Sequence, residues 1–354
     1  MGRYIINNVN SPNKISKGCA VKRSKMTHAP TLEDVARTAG LSSMTVSRAL
    51  NTPHLVRPKT VDKVLQAVRV TGYIPNALAG GLASRRSRLI AVVVPQINNN
   101  MFVDTIQALS DALALRGYHM LLCVAGYTQQ TESELVSTLL SRRPDGVVLT
   151  GIHHSPDLRK IILNTAIPVV EIWDLTPTPL DMLVGFSHEK IGIATGEYLL
   201  RKGYRKAGLL WTADLRGAQR KNGLCDVLKR YGLAEPGQID VPLPASLALG
   251  RSGLASLLAQ DTYDVIVCSS DTLAQGAIME AESRGLTVPR DLAVIGFGDL
   301  DFAASNRPAI TTVSIDRHEI GYRAATLLAD RIEGVEQDEN IIDIGFHLVE
   351  RESA

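Results

Sequence analysis

The chain has 354 residues, 45% of them hydrophobic, and a formal charge of +2 at pH 7, which is long enough for two or three domains with cores of their own. That near-neutral total hides a split. Residues 1–88 hold fifteen Lys or Arg against Glu33, Asp34 and Asp62, a net of +12, so the rest has 38 − 15 = 23 basic and 36 − 3 = 33 acidic residues, a net of −10. A basic head on an acidic body predicts a polyanion-binding segment, and no run of about 18 apolar residues offers a membrane span.

Residues 1–27 are polar, Asn- and Lys-rich and aperiodic, and read as a disordered basic extension. Residues 1–10 lack the charged-then-apolar layout of a signal peptide. Cys19, Cys123, Cys225 and Cys268 are scattered without a CxxC pair, which argues against a disulfide framework or a zinc site. A cytoplasmic protein without metal or cofactor is expected.

Residues 28–76 read as a helix-turn-helix head. Thr31 and Asp34 have capping-box spacing, with Asp in place of the preferred Glu or Gln, and open a helix to about Ala39. Gly40 permits a sharp turn. Ser42 or Ser43 caps a second helix with Val46, Ala49 and Leu50 on one face. A third follows Pro58, with Val61, Val64, Leu65 and Val68 at i, i+3, i+4, i+7, and ends near Gly72. Residues 77–88 form a small-residue connector whose Gly80 and Gly81 each cost about 1 kcal/mol of helix propensity against Ala.

Residues 89–354 alternate. Apolar runs at 89–94, 121–125, 147–150, 169–172, 207–211, 265–268 and 293–297 read as buried strands. Helical segments are expected near 102–116, 132–142, 158–164, 189–202, 218–231, 247–258 and 273–284. The rhythm predicts an α/β body of two lobes with parallel sheets, each covered on both faces, and a cleft between them.

Helix, Gly-containing turn and second helix is the plan in which the second helix enters the DNA major groove. Its exposed start offers Ser42, Ser43, Met44 and Thr45, with Ser47 and Arg48 beyond. Met44 can pack on a thymine methyl, and Arg48 can fork onto guanine O6 and N7. The rival reading is an ordinary surface helical hairpin, which does not account for the basic bias.

The residues from Thr31 to Gly40, the run Thr45-Val-Ser-Arg48 and the run Gly72-Tyr-Ile-Pro-Asn76 closely resemble the head of the lactose-repressor (LacI/GalR) family. Val93-Val-Pro95, Ser269-Ser-Asp271, Gly296-Phe-Gly298 and Ala309-Ile-Thr-Thr-Val313 are similar to that family's body. The resemblance implies a DNA-binding regulator, near-palindromic operator sites, and dimers or tetramers. It implies DNA contacts from Thr31, Ser42, Ser43, Met44, Thr45, Ser47, Arg48, Asn51, Tyr73 and Asn76, and from Ala79 and Leu82 in a connector that folds on DNA. Leu82 is then a minor-groove wedge, against a plain linker leucine packed on the body.

In a two-lobed parallel body the ligand sits at the carboxyl ends of strands, in the crevice. Asn100 and Phe102 follow the first strand, with core packing the alternative for Phe102. Glu171, Trp173 and Asp174 follow another strand, with a core or interface place open for Trp173, and Phe186 and Ser187 lie near a crossover. The resemblance adds Asp271 as a sugar-hydroxyl acceptor, against a helix N-cap, and Arg220, against a solvated helix arginine. The stretch from Ile167 to Phe186 looks most like gluconate- and idonate-responsive members. This favours a sugar acid, with Arg220 and either Lys221 or Arg216 facing its carboxylate.

Two other function classes compete with this reading. A sugar-binding transport protein would share the body but has no use for the head. A Rossmann-like enzyme would need a GxGxxG, a phosphate loop, an HExxH or a nucleophile elbow, and none occurs. No catalysis is expected.

Overall fold

A computed structural model of the chain describes residues 29–74, 86–98 and 100–354. The expected extension at 1–27, most of the connector, and Asn76, Ala79 and Leu82 lie outside the described residues. The chain forms two compact units, one within the first 85 residues and one from Arg86 to Ala354.

The head contains α1 (Leu32–Ala39), α2 (Ser43–Asn51), a 3₁₀ turn at Pro53–Leu55, and α3 (Pro58–Thr71). The capping box forms as its spacing implied. The Asp34 amide donates to Thr31 Oγ1 at 3.3 Å and the Thr31 amide to the Asp34 carboxylate at 2.9 Å. Gly40, at φ +59°, closes α1 in the left-handed region that a side chain would strain. Val35, Ala36, Ala39, Val46, Ala49, Val64 and Ala67 make the core. Leu65, expected on the inner stripe of α3, is instead 41% exposed, because Ala67 takes the inward position. Small side chains allow three short helices to approach closely, and at about 1.5–3 kcal/mol for a fully buried Val the core is thin.

The body has two six-stranded sheets. The first is built from β1 (Leu89–Val94), β2 (His119–Val124), β3 (Gly146–Thr150), β4 (Val169–Ile172), β5 (Met182–Gly185) and β11 (Ile341–Asp343), in the order β11-β5-β4-β3-β1-β2. The second holds β6 (Ala207–Thr212), β7 (Gly237–Val241), β8 (Val265–Cys268), β9 (Ala293–Gly298), β10 (Thr311–Ser314) and β12 (His347–Val349), in the order β12-β10-β9-β8-β6-β7. Pairing is parallel except between β10 and the edge strand β12. One departure from the sequence reading is β2, which starts at His119 and is an exposed edge. Leu121, Leu122 and Val124 are 40%, 37% and 50% exposed there.

Helices cover both faces of each sheet, as continuous apolar strands require. In the first lobe α4 (Val103–Leu115) and α11 (Arg317–Glu333) pack together on one face, with α5 (Gln129–Leu140) and α6 (Pro156–Thr165) on the other. In the second, α7 (His188–Lys202) pairs with α8 (Leu215–Arg230), and α9 (Leu247–Gln260) with α10 (Asp271–Ser283). The chain passes between lobes after β5, returns after β10 to lay down α11 and β11, and crosses again to β12. The lobes are therefore interleaved, and residues at each crossing sit beside the cleft.

Candidate functional site

The head presents one polar helix face. Ser42 caps α2 by accepting from the Thr45 amide at 3.2 Å. That cap fixes the start of a helix whose inner side is spent on Val46 and Ala49. Met44 is 73% exposed, and Arg48 and Asn51 are also exposed; Ser43, Thr45 and Ser47 are half-buried. Asn51 Nδ2 donates to Ser47 Oγ at 3.2 Å. Thr31 is committed to its capping box, and Tyr73 packs against the head core.

The body holds a cavity of about 180 Å³ at the carboxyl ends of strands from both lobes. Its wall includes Asn98, Asn100, Met101 and Phe102 after β1, Trp173 after β4, and His188 at the start of α7. Thr212 ends β6 and Asp214 follows it, Arg216 and Arg220 lie on α8, Ser269 and Ser270 follow β8, and Phe297 is the penultimate residue of β9. A crevice of about 460 Å³ adjoins it and shares Tyr127, Thr212, Asp214 and Arg216. Asp174 and Lys221 line that second space.

Two guanidiniums dominate the inner wall. Arg216 and Arg220 are four residues apart on α8 and so share a face. Arg220 is buried, with its Cζ 3.9 Å from the Phe297 ring centroid, while Arg216 lies 5.6 Å over Phe102. Arg220 Nη1 donates to His188 Nδ1 at 2.9 Å and Nη2 to the Ser269 carbonyl at 3.4 Å. Among the described residues, Arg220 Nε and Arg216 Nη1 are buried without a hydrogen-bond partner. Burial, with Arg216 as a like-charged neighbour, lowers the Arg220 pKa to about 10 against the pull of Asp214 and Asp174. It stays charged at neutral pH, and a buried cation with an open donor favours an anion.

Carboxylates near the arginines have other commitments. Asp214 caps α8, accepting from the Gly217 amide at 2.8 Å and from Thr212 Oγ1 at 3.1 Å. Asp174 Oδ2 is buried and unpartnered among the described residues, and burial raises that carboxyl's pKa.

Of the residues anticipated for a ligand, Asn100, Phe102 and Arg220 stand on the inner wall and Asp174 on the adjoining one. Glu171, Phe186 and Asp271 stand behind the wall. Glu171 accepts from the Leu180 amide at 2.6 Å and lies 3.3 Å from His154 Nε2. Phe186 is buried between Trp173 and His188. Asp271 accepts from Thr312 Oγ1 at 2.6 Å and the Leu300 amide at 2.7 Å, binding α10 to its own sheet. The N-cap of that helix is Ser270, which removes the capping alternative for Asp271. His188 went unnoticed, although its place just after an apolar run is the signal that flagged the others.

Two family models divide the chain. "Bacterial regulatory proteins, lacI family" matches residues 31–76, and "Periplasmic binding proteins and sugar binding domain of LacI family" matches 87–351. The chain belongs to the LacI family. It is thus a DNA-binding transcriptional regulator. Among its relatives, the regulator named GntR of Pseudomonas aeruginosa is 37% identical over 94% of this chain and 98% of its own. IdnR of Escherichia coli is 29% identical over 91% and 97%. A LacI-family transcriptional regulator from Silicibacter pomeroyi shares the fold with a TM-score of 0.87 at 31% identity, covering 92% of this chain and 99% of that one. These relatives are named as regulators, not enzymes. The residues matched by the second model include the two-arginine cavity.

Proposed function

We propose that this LacI-family regulator binds a near-palindromic operator as a homodimer, and that a sugar acid in the inter-lobe cavity sets its affinity for that DNA. The observation that carries the ligand class is the Arg216–Arg220 pair on the wall, with buried N–H groups left over. A carboxylate takes two N–H groups from a guanidinium in a planar fork, a match that neutral sugars lack. Phe102 and Trp173 supply ring surface, Asn98, Asn100 and Ser270 supply groups for hydroxyls, and Asp174 Oδ2 on the adjoining wall is an acceptor left open among the described residues. The likeness to the regulators named GntR and IdnR is in keeping with the resemblance to gluconate- and idonate-responsive members.

Operator contacts are assigned to Ser42, Ser43, Met44, Thr45, Ser47 and Arg48 on the open face of α2. The dimer is assigned to the apolar edge at β2, whose exposed leucines are of the kind that a second copy covers. Ligand that binds the two lobe arrangements unequally shifts the population between them, and coupling to DNA follows by linkage. Titration calorimetry with gluconate, idonate, their phosphates and neutral sugars tests the ligand class. An acid binding at least tenfold more tightly than any neutral sugar is expected; a neutral sugar binding far more tightly than every acid refutes it.

A further inference from the structure

Among the described residues no carboxylate holds Arg220. Its partner is an imidazole, and that imidazole reaches into the other lobe. Arg220 Nη1 lies 2.9 Å from His188 Nδ1, and His188 Nε2 lies 3.0 Å from the Trp173 carbonyl oxygen. A guanidinium only donates and a carbonyl only accepts. The ring between them must accept at Nδ1 and donate at Nε2, which only the neutral Nε2–H tautomer can do.

Three features hold this relay in place. Trp173 has φ +70°, a left-handed backbone that a non-glycine residue adopts only where its surroundings hold it there; its indole Nε1 donates to Thr105 Oγ1 at 3.2 Å. His188 stands at the first position of α7, capped by Ser187 and edge-on to Phe186 at 4.7 Å. The helices α7 and α8 touch through glycines: a Cβ on Gly192 would lie 2.0 Å from the Arg220 carbonyl oxygen, and one on Gly223 2.5 Å from that of Glu189. The groups facing the imidazole are Arg216 and Arg220 on α8, His153 in the loop after β3, and the Trp173 carbonyl. Positive charge on this side opposes a second proton on the ring.

We propose that His188 is the positioning residue of the ligand site: locked neutral with its proton on Nε2, it aims Arg220 at an acidic ligand and ties that arginine to the backbone of the first lobe. This rests on the reading of the cavity as a sugar-acid site. An acid on Arg220 is then felt at Trp173 through one ring.

Full-length protein with 15N-labelled histidine rings and calorimetry with gluconate and idonate test it together. His188→Gln keeps a donor and an acceptor and assigns the ring signal, whereas His188→Leu keeps the bulk and removes both. One neutral Nε2–H imidazole signal is expected, missing in His188→Gln and unchanged from pH 5.5 to 8. Acid binding should weaken at least tenfold in His188→Leu but stay within threefold of wild type in His188→Gln, with melting followed for both. A proton on Nδ1, titration like a free imidazole, or wild-type acid affinity in His188→Leu overturns the proposal; so does a Gln variant that binds as poorly as the Leu variant. If wild type binds neither acid, the sugar-acid reading is what fails. The ring spectrum then decides the His188 arrangement alone: a signal shifted by Arg220→Lys supports it, and one left unmoved overturns it.

Discussion

Arg220 gathers most of what the site can do, and its replacement separates charge from geometry. Arg220→Lys keeps the positive charge but loses the fork and the ring stacking, so sugar-acid affinity should fall at least tenfold by calorimetry; an unchanged affinity would show that charge alone suffices. Two buried histidines bend stability in opposite directions with pH. Burial, then the Arg220 cation, pushes His188 well below its usual range. The unfolded chain therefore gains a proton near pH 6.5 that the folded one refuses, and stability falls below about that pH. Burial works against a charged His154, but its contacts with Glu132 and Glu171 prevail and raise its pKa to about 9. Its contribution is complete below about pH 6.5 and is lost as pH rises through about 9. Melting temperature across pH should show His188→Gln flattening the acid limb and His154→Gln the alkaline limb, and limbs identical to wild type in both variants would refute the assignment. Residues after strand ends were legible in the sequence because topology alone puts them at the cleft. Which of them face it was not. Asp271 has the right address and Glu171, inside β4, stands just short of it, but contacts distant in sequence, to Thr312 and His154 respectively, turn their carboxylates into the fold.

At the scale of elements, the strong periodic signals were readable and the contextual ones were not. The head helices follow their caps and apolar stripes, since Thr31, Ser42, Gly40 and Gly72 act within a few residues. The strands β5, β7, β10, β11 and β12 went unassigned. β7 is polar and half-exposed, β11 and β12 have three residues each, and a short edge strand exists only because a neighbour supplies its ladder. α11 carried a usable pattern, Ile320, Ala324, Leu327 and Leu328 at i, i+4, i+7, i+8, all buried. Helix contact was also hidden: nothing in the sequence says that Gly192 meets the backbone of Arg220. A methyl there cannot be accommodated at 2.0 Å without moving α7 from α8. Gly192→Ala should cost about 1–3 kcal/mol as overpacking does and weaken ligand binding with it. A variant that melts and binds as wild type does would show that the two helices are not held this closely.

For the whole molecule, the charge split and the interleaved lobes belong to one account. In the proposed function the positive head supplies salt-dependent affinity for DNA of any sequence, the face of α2 supplies selection, and the cavity supplies control. Control is a free energy of about 1–3 kcal/mol in typical coupled sites, or 5- to 150-fold in affinity. The direct measurement is fluorescence anisotropy on an operator recovered from random DNA, at physiological salt, with and without saturating gluconate or idonate. Wild type should change its operator affinity by at least fivefold with an acid present, and Arg220→Met should bind the same DNA but ignore the acid. Operator affinity that no acid alters, or a response that persists in Arg220→Met, would contradict the account.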